Sequence, residues 1–229
     1  MKIVIFFLII SALMLSVFLW KINTSWETTI LLIRHGQTDW NLEQRVQGHT
    51  DIELNETGLM QAKKTAVFLL EHHRDISAIY SSDLKRASAT AQETANLFHL
   101  KVQLSEKLRE VNTGEAEGMK ISEKVNKYKD EWKKIAENYP NKREAWKQTA
   151  IAGEESLDEL YKRIETELLF LGKKYKDKKI AIFSHGKAIR AFIAHIEDKD
   201  IDDIQLSNAQ VIEIKLIQKN KELIFKRIH

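Results

Sequence analysis

The chain has 229 residues, with 36 lysines and arginines against 33 aspartates and glutamates, and no cysteine. That length suits one principal domain with an appendage. A formal charge of +3 gives no bulk electrostatic signature for nucleic acid, and the missing cysteines exclude disulfides, thiolate metal sites and cysteine nucleophiles together.

Residues 3–20, IVIFFLIISALMLSVFLW, carry no charge, and as a helix they would span about 27 Å against a hydrocarbon core of about 30 Å. This predicts a single-pass N-terminal membrane anchor within residues 1–22, with export after signal cleavage as the alternative. Trp20 and Lys21 stand where small residues would mark a cut. The N-terminal amine and Lys2, set against Lys21, slightly favour the N-terminal end inside. Residues 23–29 read as a polar linker and residues 30–229 as the main domain.

Ile30–Ile33 reads as a fully buried strand ending at Arg34 and His35, with Gly36 allowing a sharp exit. Leu59–Glu71 carries Leu59, Ala62, Ala66, Leu69 and Leu70 at helical spacing, which predicts an amphipathic helix. Ile76–Tyr80 predicts a second strand, and Ser81, Ser82 and Asp83 offer capping oxygens for a helix running to about Phe98. The lysine- and glutamate-rich stretch 123–150 reads as two solvated helices broken at Pro140, because acids interleave with the bases throughout. No nucleic-acid partner is expected from it. Ser156 caps a strong helix to Lys174, Lys179–Phe183 is a third buried strand, and Ala209–Ile217 and Glu222–Ile228 are strand-like. Buried strands alternating with amphipathic helices predict an α/β fold, a three-layer αβα sandwich with a mostly parallel central sheet, preceded here by the transmembrane helix.

In such sheets ligands sit beyond the carboxyl ends of the strands. His35 and His185 each follow a strand and precede a glycine, so parallel strands would bring both to one rim. One such histidine alone would read as structural; two shift the balance to a site. Arg34 and Arg86 add fixed positive charge, and an arginine fork or a helix N-terminus suits a phosphate. Taken alone, Arg86 could equally be a helix-surface partner of Asp83. The sequence has no HExxH, Walker loop or GxSxG elbow, which leaves imidazole as a nucleophile able to accept a phosphoryl group. Attack by a neutral His35 would need its other ring nitrogen anchored, for instance by a carbonyl in the following turn. A carboxyl group must then handle the leaving-group and water protons.

Six ordered blocks, LIRHGQTDWN, QGHTDIELNETGLMQA, IYSSDLKRASATAQETA, LREVNTGEAEG, GEESLDELYKRI and FSHGKAIR, resemble the histidine phosphatase superfamily in its phosphoglycerate-mutase-like branch, over essentially all of Ile30–Ile217. The resemblance implies that His35 is the phosphoryl-accepting nucleophile, that Arg34, Asn41, Arg86 and His185 surround the phosphate, and that Glu110 is the general acid and base. Local sequence alone would make Glu110 an exposed loop carboxylate. Gln47 and Gly48 match a substrate-positioning loop beside the first phosphate contacts. The chemistry implied needs no metal and no organic cofactor.

The acid-phosphatase branch carries RHGxRxP and a His-Asp pair, which this sequence lacks. Mutases of the resembled branch carry ERHYG, HGN and a paired arginine in the insertion. Here stand Glu110-Val111-Asn112-Thr113-Gly114, Lys187 after His185-Gly186, and Lys133-Lys134. The expected activity is therefore hydrolysis of a small phosphorylated substrate, a phosphomonoester, through a phosphohistidine. The alternatives are a 2,3-bisphosphoglycerate-dependent phosphoglycerate mutase and, in another class, a catalytically silent membrane-tethered phospho-ligand-binding protein. Ala116 replaces an aromatic residue in GEWEG, Lys187 adds a cation suited to a more anionic substrate, and specificity is expected from the insertion between Gly118 and Gly153.

Overall fold

A computed structural model describes residues 25–219 and 222–228. In chain order the regular elements are β1 (Trp26–Arg34), α1 (Asp39–Leu42), α2 (Glu56–His72), β2 (Ile76–Ser81), α3 (Lys85–Phe98), β3 (Val102–Leu104), α4 (Ile121–Lys127), α5 (Lys129–Asn138), α6 (Lys142–Ala145), α7 (Leu157–Lys174), β4 (Lys179–Ser184), α8 (Gly186–Ile196), β5 (Val211–Lys219) and β6 (Glu222–Arg227). The six strands form one sheet in the order β3-β2-β4-β1-β5-β6. β5 is antiparallel to both β1 and β6, while β1, β4, β2 and β3 pair in parallel. The sheet is thus mixed, parallel from the β3 edge through β1 and antiparallel from β5 to the β6 edge.

β1 shows why helices cover both faces. Its branched aliphatics alternate between two cores: Ile30 and Leu32 pack with Leu160, Leu168 and Phe192 from α7 and α8, and Leu31 and Ile33 pack with Leu69 and Ala91 from α2 and α3. All four are at most 2% exposed, and each fully buried side chain of this kind stabilises the fold by about 1.5–3 kcal/mol. Because β1 and β4 pair in register from Thr29 and Lys179 to Arg34 and Ser184, His35 and His185 emerge side by side at one edge.

Several expectations are corrected. β1 begins at Trp26, so residues 26–29 are strand and not linker: Trp26 and Thr28 are buried, Thr28 donates to the Gly172 carbonyl at 2.8 Å, and pairing with β5 extends to Gln218. α3 is capped at Leu84 without a side-chain bond; Ser82 accepts only from Leu84 N, and Asp83 turns away to Arg109. On α2, Ala62, Ala66 and Leu69 are buried, but Leu59 is 43% exposed. The stretch 123–150 is not simply solvated, since Trp146 is buried. The expected membrane anchor at residues 3–20, and its alternative as an export signal, lie outside the described residues. The membrane localisation is corrected: among the described residues no helix is long and apolar enough to cross a membrane.

Candidate active site

The turn after β1 sets the site. Gly36 lies so close to α2 that an added Cβ would meet the Gly58 carbonyl oxygen at 2.5 Å, and its N–H donates to Thr90 Oγ1 at 3.0 Å. Only a residue without a side chain lets the chain turn this tightly against a helix N-terminus. The same turn brings the Gly36 carbonyl within 2.6 Å of His35 Nδ1. That bond places the proton on Nδ1 and leaves the Nε2 lone pair unshared.

His185 has the opposite tautomer. The guanidinium Nε of Arg86 donates to His185 Nδ1 at 3.2 Å, so the imidazole proton resides on Nε2, which is buried without a hydrogen-bond partner. The two rings lie 5.2 Å apart between centroids. Burial, reinforced by Arg86 and Arg34, pushes His35 well below its usual pKa, and burial with Arg86 and His35 does the same to His185. Both imidazoles are therefore neutral near pH 7, one offering a lone pair and the other an N–H.

Arg86 itself is fully buried. Besides His185 it donates to the Thr50 carbonyl at 2.9 Å and the Gly48 carbonyl at 2.8 Å, and burial brings its pKa down to about 10. The ion pair with Asp83 is absent because Asp83 is taken by Arg109. Arg34 donates through Nη1 to the Leu206 carbonyl at 2.7 Å, and its buried Nε is unpartnered. An unfilled donor in the interior costs about 1–3 kcal/mol, so Arg34 Nε and His185 Nε2 are both standing acceptor-seekers.

Glu110 is not an exposed loop carboxylate. Its Oε1 accepts from Val111 N at 3.0 Å and Ala188 N at 2.9 Å, and its Oε2 accepts from Lys187 N at 3.0 Å. It thus sits at the amino end of α8, fixed in place by three backbone N–H groups. Arg34, His35, Gln47, Gly48, Arg86 and Glu110 line one cavity of about 440 Å³. His185 and Asn41 are not on that wall. His185 stands behind it against His35 and Arg86. Asn41 Oδ1 accepts from Thr38 N at 3.1 Å and from Asn208 Nδ2 at 3.2 Å.

The site's sequence pattern, described as the histidine phosphatase superfamily (branch 1), matches residues 30–227. The chain belongs to that family. A phosphatase of Bacillus subtilis (strain 168), called uncharacterized phosphatase PhoE, is 35% identical over 194 residues, covering 84% of this chain and 90% of the relative. Phosphoglycerate mutase-like protein 4 of Arabidopsis thaliana is 38% identical over 163 residues, covering 71% of this chain and 68% of the relative. Among solved structures, a histidine-to-alanine phosphoserine phosphatase of Entamoeba histolytica in complex with phosphoserine superposes with a TM-score of 0.72 at 29% identity, covering 86% of this chain and 94% of that one.

In this histidine phosphatase, supporting residues missed by sequence reading hold the site together. Asn208 donates to the His35 carbonyl at 3.1 Å. His49 Nε2 meets the Glu110 carbonyl at 2.8 Å, and Arg163 donates to the same oxygen at 3.1 Å. Glu117 accepts from His49 N at 2.7 Å and Thr50 N at 2.8 Å, which fixes the loop carrying Gln47 and Gly48. Asn208 and Arg163 reach the site from distant parts of the chain, and no local pattern marks them. α8 also escaped the sequence reading, although Ala188, Ile189, Phe192 and Ile193 give it an apolar face.

Proposed function

We propose that this histidine phosphatase hydrolyses small phosphomonoesters through a phosphohistidine at His35. The observation that carries the reading is the pair of opposed tautomers: His35 Nδ1 held by the Gly36 carbonyl, and His185 Nε2–H left without an acceptor. An incoming phosphate supplies what each lacks, an electrophile for His35 Nε2 and oxygens for His185, Arg34 and Arg86. Asn41, with its oxygen engaged, turns its amide to the same phosphate, and Gln47 and Gly48 position the ester. His35 Nε2 forms a bond to phosphorus as the P–O bond to the alcohol breaks, and Glu110 protonates the departing oxygen. Glu110 then takes a proton from water, which attacks phosphorus, breaks the P–N bond and releases phosphate. Every proton in this cycle moves between named groups.

Two features favour hydrolysis over phosphoglycerate isomerisation. Val111-Asn112 and Lys187 stand where the mutase marks would be. The catalytic domain in this reading is residues 30–229, entered through the first half of β1. A panel of phosphomonoesters with good and poor leaving groups tests the proposal on native protein, His35→Ala and Glu110→Gln. His35→Ala loses essentially all turnover. Glu110→Gln loses far more with poor leaving groups than with good ones, since a good leaving group needs less protonation. Equal losses for both would remove Glu110 as the proton donor, and conversion of 3-phosphoglycerate to its 2-isomer without phosphate release would favour the mutase.

A further inference from the structure

Residues 206–210, the turn that leads into β5, reach Arg34, His35 and Asn41 from the far end of the chain. The Leu206 carbonyl accepts from Arg34 Nη1 at 2.7 Å, and the Gln210 carbonyl accepts from the Arg34 backbone N–H at 3.2 Å. Two donors of the same turn, Asn208 Nδ2 at 3.1 Å and the Ala209 N–H at 3.2 Å, converge on the His35 carbonyl. Ala209 holds a φ of +58°, a left-handed conformation that a residue with a side chain keeps only where its surroundings enforce it. Thr65 Oγ1 of α2 helps to do so, donating to the Ala209 carbonyl at 3.0 Å. Asn208 Nδ2 has a second acceptor, Asn41 Oδ1, at 3.2 Å. The backbone dictates how both amides face. A carbonyl can only accept, so Asn208 turns its nitrogen to His35; the Thr38 N–H can only donate, so Asn41 turns its oxygen to Thr38, at 3.1 Å. Thr38 Oγ1 donates to that same Asn41 oxygen at 3.2 Å. Asn41 Oδ1 is thus taken by donors on two sides, and its NH2 group makes no hydrogen bond among the described residues.

We propose that Asn208 is a positioning residue for phosphate binding: by donating to Asn41 Oδ1 it holds the Asn41 amide with its NH2 group towards the phosphoryl oxygens. This rests on the hydrolase reading above, in which Asn41 is a phosphate contact. A phosphoryl dianion offers only acceptors, so an Asn41 amide turned the other way would set oxygen against oxygen. The same Asn208 nitrogen, bonded to the His35 carbonyl, fixes that donor relative to the nucleophile.

Calorimetric titration of the full chain with inorganic phosphate tests this without requiring turnover. Asn208→Asp keeps the side chain's shape but replaces the donor with a carboxylate, which repels Asn41 Oδ1 and draws the Asn41 NH2 group to itself. The Kd for phosphate rises roughly tenfold or more, the effect of a hydrogen bond turned to repulsion. Asn208→Ala leaves Thr38 to hold Asn41 alone and gives a smaller rise, roughly threefold. In an Asn41→Ala background there is no amide to turn, and either substitution at Asn208 shifts Kd by about twofold at most. The alanine cycle serves alone should the aspartate variant not fold. If Asn208 merely supports the turn, its substitution weakens binding equally in both backgrounds, and that result overturns the proposal. A Kd in Asn208→Asp within about twofold of native, or native affinity in Asn41→Ala, also overturns it. Phosphate bound by native protein that releases none from p-nitrophenyl phosphate would instead overturn the hydrolase reading.

Discussion

A neutral imidazole is a nucleophile only while it stays unprotonated, and at His35 the surroundings enforce this. Burial and two arginines oppose a second proton, while the Gly36 carbonyl fixes the first on Nδ1. Turnover should therefore persist below about pH 6.5, where an ordinary imidazole would be protonated and inert. A kcat/KM profile with an acid limb near that value, assigned to His35 by its NMR titration, would contradict the reading. Arg86 is equally constrained, since three bonds to His185, Thr50 and Gly48 leave from one buried guanidinium. A lysine cannot reproduce that fork. Arg86→Lys should lower stability by about 1–3 kcal/mol through unmet carbonyls and also raise KM, both read by urea titration and steady-state kinetics. Unchanged stability would show that the bonds are not formed in solution.

The elements fix these residues by close approach. Gly36 against Gly58 joins the catalytic turn to α2, and a methyl group there would meet backbone rather than a yielding side chain. Gly36→Ala should cost about 1–3 kcal/mol by overpacking and should impair turnover as well, because the carbonyl that orients His35 moves with it. Full activity with full stability would remove this role. The strands were legible in the sequence because Ile30–Ile33 and Lys179–Phe183 are apolar runs that lead into His-Gly, and α7 because Ser156 reads as its N-cap, to which the fold adds Glu159 as a capping box. What stayed hidden depends on tertiary contact. Glu110 looks like a loop acid until α8 brings its amides to it, and Arg86 looks like a surface residue until the 47–50 loop closes over it. The insertion read as a solvated charge run, yet Lys124 and Trp132 end on the cavity wall.

At the scale of the whole molecule, the parallel core places His35 and His185 on one edge, and the insertion closes the cavity above them. Two buried neutral imidazoles also give the fold a pH dependence with a definite sign. In the unfolded chain each binds a proton near pH 6.5, whereas in the fold burial and the arginines keep both neutral to well below that value. As pH falls below about 6.5 the unfolded state binds more protons, so this stability, fully present above that pH, is progressively lost. The urea midpoint should drop between about pH 7 and pH 5, and a flat midpoint would contradict neutral burial. The resemblance located the family from six short blocks, whereas the membrane placement rested on residues 3–20, outside the described structure.

The account stands on a covalent bond between phosphorus and His35. Rapid acid-free quenching of the native enzyme during turnover of a phosphorus-labelled ester, followed by peptide mapping, tests it most directly. The expected result is a base-stable, acid-labile label on the peptide containing His35. Label on another residue, or no trapped label under conditions where the release step is rate-limiting, would contradict it.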